Sequence, residues 1–196
     1  MKTIFLISLF LLLSAFGRHP SPVPAPQSSP SPLPTPAEPY SGPRIIALTC
    51  DGSCHPDERV QLPLIEEAMN RTLSSDCFTQ YFKTPGRRLD LAQGLSPDQI
   101  LAKLRAPTSL TASYYTNDHT PAEGYEQSPN YSLIHMNRSF TSTWPVCGIA
   151  SLAAHEMTHT KGFWHNGNRP RPNYYTIPYQ TNNAFEGNDD MKACCR

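Results

Sequence analysis

The chain has no excess charge of either sign: 16 Lys and Arg balance 16 Asp and Glu over 196 residues. With no basic stripe, nucleic acid is not an expected partner. Beyond the first 17 residues no run is apolar enough to span a bilayer, so no membrane span is expected. No cysteine closely follows the opening apolar run, which argues against a lipid anchor. No internal repeat divides the rest, and its length suits one domain with one core.

What the chain does have begins with Lys2, an apolar run from Ile4 to Phe16, and a small-x-small site at Ala15-Phe16-Gly17. Residues 1–17 therefore read as a secretory signal peptide. Residues 18–43 are dominated by proline and serine, as in Pro20-Ser21-Pro22-Val23-Pro24, and read as an extended polyproline-type linker. Residues 44–196 remain as the folded domain, expected to be exported and monomeric. All six cysteines (Cys50, Cys54, Cys77, Cys147, Cys194, Cys195) fall there, and an even count in an exported chain implies disulfides. The letters alone leave their pairing open. Cys147 and either of the two C-terminal cysteines are candidates for tying the site in place.

Ile45 to Leu48 reads as a short buried strand. Apolar residues at helical spacing follow Pro63, at Leu64, Ile65, Ala68, Met69 and Leu73. Ser96-Pro97-Asp98-Gln99 has the form of a capping box, and Pro107 closes that short helix. Leu110 to Thr116 and Tyr131 to Met136 read as strands, with Asn117 to Asn130 as a loop between them. A helix over about 145–161 comes next, then an irregular tail. This order suits an α+β domain with a small sheet packed on helices.

The stretch that carries chemistry is His155-Glu156-Met157-Thr158-His159-Thr160-Lys161-Gly162-Phe163-Trp164-His165. Residues four apart share a helix face, so His155 and His159 point the same way. Gly162 can adopt the left-handed conformation that ends a helix, which lets the chain turn and bring in His165. Three imidazoles with one open position are the ligand set of a catalytic zinc ion. Glu156 stands beside the first ligand, placed to reach a metal-bound water as general base. Glu186 is an alternative third ligand if Asn182 to Gly187 forms a helix, and His119 and His135 are further candidates.

His155, Glu156, His159, Gly162 and His165 match the H-E-x-x-H-x-x-G-x-x-H signature, and over these eleven residues the chain resembles the metzincin metallopeptidases. A looser similarity, over roughly Tyr131 to Tyr179, is to small secreted bacterial metzincin-like proteins. The resemblance implies a zinc-dependent peptidase acting on a peptide or protein substrate, with an extended substrate added to the strand before the zinc helix, here Tyr131 to Met136. It also implies a methionine turn beneath the metal, yet the only downstream methionine is Met191. The segment Tyr174 to Tyr179 takes that place in our reading, with Tyr179 facing the metal as an oxyanion donor. A metal-binding module without peptidase activity, and a zinc hydrolase of cell-wall peptides, are the competing expectations.

Overall fold

The computed structural model describes residues 40–117, 124–126, 132–165, 174–187 and 193–195. The signal segment, nearly all of the linker, His119, Tyr131 and Met191 lie outside the described residues. The fold is α+β, as expected. In chain order its elements are β1 (Ile46–Cys50), α1 (Pro56–Ser74), α2 (Asp76–Lys83), α3 (Pro97–Leu104), β2 (Thr108–Tyr115), β3 (Gly124–Glu126), β4 (Leu133–Asn137), α4 (Arg138–Thr141), α5 (Val146–Thr160) and α6 (Ile177–Glu186). The sheet order is β1-β2-β4-β3, with β1, β2 and β4 parallel and β3 antiparallel to β4.

Alternation places Ile46, Leu48, Leu110, Ala112, Tyr114, Ile134 and Met136 on one buried sheet face. The buried sides of the helices cover that face in one contiguous core. Helix α5 lies at its centre, with Ile149, Ala150, Ala153, Ala154 and Met157 all buried. Burial on most of its surface explains why its sequence is apolar nearly all round.

Several boundaries follow from local chemistry. Helix α1 starts well before Pro63, because His55 and Glu58 form a capping box in which the Glu58 carboxylate accepts the His55 N–H at 2.7 Å. Pro63 sits inside the helix rather than at its start. The expected capping box of α3 is present: Ser96 accepts the Gln99 N–H, and Gln99 accepts the Ser96 N–H at 2.8 Å. The outer edge of β1 is closed by one buried side chain. Asn70 accepts the N–H groups of Ile45 and Ile46 at 2.7 and 2.8 Å and donates to the Ile46 carbonyl at 2.9 Å. Glu66 accepts the Leu48 N–H at 2.8 Å.

Two expectations are corrected. The strand before α5 has no free side along its middle, because β2 and β3 both pair with residues 134–136 of β4. Among the described residues the edge strand on that side is the three-residue β3, hidden in a stretch whose prolines and glycine read as loop. The C-terminal part is not all irregular either. Pro178 fits the first turn of α6, where a missing N–H costs nothing, and Ile177, Ala184 and Phe185 bury its inner side. Helix α2 holds α6 in place: Phe78 meets Phe185 edge-on at 6.1 Å, and the Tyr81 hydroxyl donates to Gln180 at 3.2 Å.

The cysteines stand in three pairs at disulfide distance, Cys50–Cys54, Cys77–Cys194 and Cys147–Cys195. Such pairs suit an oxidising, extracytoplasmic compartment. Among the described residues no helix is long and apolar enough to cross a membrane.

Candidate metal centre

Helix α5 carries His155, Glu156 and His159 in its last two turns. Its end is built by Gly162, at φ 75°. The Gly162 N–H donates to the His159 carbonyl at 2.9 Å, and the Phe163 N–H donates to the Thr158 carbonyl at 3.0 Å. This pair of bonds around a left-handed glycine is a Schellman stop, and the buried Phe163 side chain anchors it. The reversed chain carries His165 back to the helix. One nitrogen from each of His155, His159 and His165 lies within 4.8 Å of the others, a grouping able to hold a metal ion. Among the described residues no other such group occurs.

The donor chemistry fits. A carbonyl only accepts, so the 2.7 Å contact between His159 Nδ1 and the Phe163 carbonyl places the proton on Nδ1. The lone pair of the neutral ring is then on Nε2, free to bind a cation. Trp164 stacks on the same ring at 5.2 Å and an interplanar angle of 22°, which fixes its tilt. Glu156 is buried, and its Oε2 lies 4.0 Å from His159 Nε2. Tyr179, on α6, packs edge-on against His155 at 4.9 Å and borders His165 at 5.7 Å. Helix α6 reaches this place because it packs on α5, where the Ser151 hydroxyl donates to Asn182 Oδ1 at 2.8 Å.

Glu186, the alternative third ligand, lies exposed at the far end of α6 and outside the cluster. His135, on β4, is also outside it, with its neutral form favoured by burial and opposed by Asp51. The residues that the letters did not reveal are the supports: the Phe163 carbonyl, the Trp164 ring and Gln93, whose side-chain amide donates to the Gly162 carbonyl at 2.9 Å. Gln93 is 69 residues away in sequence, and no spacing rule connects it to the motif.

Burial pushes the His155 imidazole down to about 3, helped by His159 and His165. Burial also takes His159 down to about 4, against the hydrogen bond to Phe163. Both rings start from an ordinary 6.5, so on acidification the unfolded chain takes up protons first. Their contribution to stability is whole above 6.5 and is lost as pH falls toward 3 to 4. Each tenfold change in proton affinity is worth about 1.4 kcal/mol. The thermal midpoint of metal-free protein, followed by circular dichroism with chelator present, should therefore fall steadily from pH 7 to pH 4. A constant midpoint would mean that water reaches these rings freely.

No protein-family model, curated protein or solved structure matches the chain.

Proposed function

We propose that this protein is a secreted zinc-dependent peptidase of metzincin type. The observation that carries the reading is the convergence of three imidazoles with a buried carboxylate 4.0 Å from one ligand nitrogen. A metal site with only a structural role has no use for a base in that position. His155, His159 and His165 would hold the ion. Bound there, zinc would supply Lewis acidity for the scissile carbonyl and for a water acidified toward neutrality.

Glu156 Oε2 takes a proton from the attacking water and passes it to the leaving amine, so one carboxylate serves as base and then acid. Tyr179, through its hydroxyl, donates to the oxyanion that develops on the former carbonyl oxygen. The extended substrate, which the metzincin resemblance seats along the sheet edge, would join at β3, the outermost strand, and not at β4.

The test is a panel of protein, peptide and cell-wall peptide substrates, each run with wild type, with chelated protein and with Glu156→Gln. Cleavage of protein substrates that is lost on chelation and restored by zinc supports the reading. Cleavage confined to cell-wall peptides replaces the substrate, and zinc binding with no cleavage leaves a binding module. Tyr179→Phe keeps the ring that packs against His155 but removes the donor. It should lower kcat by about a hundredfold at unchanged zinc content. Unchanged turnover removes Tyr179 from the mechanism.

A further inference from the structure

We infer that Gln93 is a positioning residue for the metal centre, and that residues 88–95 form a strap holding the third ligand's turn against the start of α6. The inference rests on the metal reading of His155, His159 and His165.

Among the described residues, the only non-glycine positions with positive φ are Leu91 at 56° and Gln93 at 57°. Both lie in this one segment. A side chain in the left-handed region is disfavoured by its Cβ, and such strain persists only where neighbours over-determine it. Both residues are exposed, so apolar burial does not hold them there.

The segment is held by Leu89, Ala92 and Leu95, partly buried against the core, by the Leu95 N–H donating to the Ala92 carbonyl at 3.0 Å, and by contacts at its two ends. At one end, the Asp90 N–H donates to the Tyr175 carbonyl at 2.8 Å, and Asp90 forms an isolated bridge with Thr176, next to the first residue of α6. Arg88 reinforces this end, pairing with Asp90 at 2.7 Å and lying over the Tyr175 ring at 4.8 Å. At the other end, Gln93 Nε2 reaches the Gly162 carbonyl.

That carbonyl matters because of where it sits. The peptide unit between Gly162 and Phe163 has its N–H tied to Thr158 and its C=O tied to Gln93. The next carbonyl, that of Phe163, is tied to His159. Two consecutive peptide planes are thus fixed, and only Trp164 then lies between them and His165. Without Gln93, the Gly162 carbonyl turns to water at little cost and the plane keeps only one of its two ties, the Phe163 N–H to Thr158. Stability would change little, whereas the direction in which His165 leaves the turn would change.

The experiment uses the full chain as wild type, Gln93→Ala, Gln93→Gly and His165→Ala. Zinc affinity is measured by competition with a chromogenic chelator, and hydrogen exchange of residues 160–165 is measured on metal-free protein. Gln93→Ala keeps the strained backbone and removes the amide. Gln93→Gly removes the amide and also relieves the strain. Both should weaken zinc binding by about tenfold, in the range seen when a partner of a ligating group is lost. Both should also speed exchange around Gly162, with little change in thermal midpoint; His165→Ala should weaken zinc more.

If wild type binds zinc and Gln93→Gly binds it as tightly, the positioning role is wrong and the metal reading stands. If wild type binds no zinc, the metal reading fails and takes this inference with it. Loss of midpoint without loss of affinity would show that Gln93 only stabilises the fold.

Discussion

Glu156→Gln is expected to abolish most hydrolysis while leaving the protein folded and loaded with zinc. Glutamine has the same shape as glutamate and can occupy the same buried position beside His159. It cannot accept a proton from water at neutral pH. General acid–base catalysis contributes about a hundredfold to ten-thousandfold, and the rate should fall by that much. The three ligand nitrogens are untouched, so zinc measured by elemental analysis should stay at one per chain. Loss of zinc together with activity would make Glu156 a support of the ligand set and not the base. Full activity at full zinc would end the peptidase mechanism.

The second large effect concerns the cysteine pairs. Cys77–Cys194 closes a sequence separation of 117 and Cys147–Cys195 one of 48, whereas Cys50–Cys54 closes only 4. Loop-closure entropy assigns about 5, 4 and 2 kcal/mol to these pairs in turn. A domain of this size is stable by about 5–15 kcal/mol in total, so either long link is a large fraction.

Their placement adds to this. Cys147 is in the first turn of α5, and the N–H groups of Cys194 and Cys195 donate to the Ala184 and Phe185 carbonyls, capping the end of α6. Replacing Cys147 and Cys195 together by serine should lower the thermal midpoint by about 10 °C, and the Cys77 and Cys194 pair by at least as much. The Cys50 and Cys54 pair should cost clearly less. Equal losses from all three would show that local packing, and not chain closure, sets their value.

The ease of reading different parts of this chain reflects the range of the interactions involved. The metal helix and its stop were legible because the decisive contacts lie within a few residues: the i, i+4 histidines, the glycine at positive φ, and the returning His165. The α3 capping box was legible for the same reason. Helix α2 and the start of α1 were not anticipated, since their caps, Ser75 and His55, announce themselves only through hydrogen bonds that the letters do not display. Strand β3 was hidden because three residues are too few for alternation to show, and only pairing with β4 makes them a strand. The pairings Cys77–Cys194 and Cys147–Cys195 and the reach of Gln93 to Gly162 are long-range, decided by how the helices pack and not by any local pattern.

The treatment of the sheet's two sides has a consequence for association. On the β1 flank, Asn70 and Glu66 already occupy the N–H groups of Ile45, Ile46 and Leu48 and the Ile46 carbonyl, which another chain would seek. On the opposite flank stands β3, which lies against α5, and among the described residues no strand flanks it further out. Among the described residues, recruitment of an outside strand by backbone pairing is therefore easier at β3 than at β1, and β3 lies against the helix that carries His155 and His159. A peptide and a second copy of the protein that both docked at β3 in this way would exclude one another.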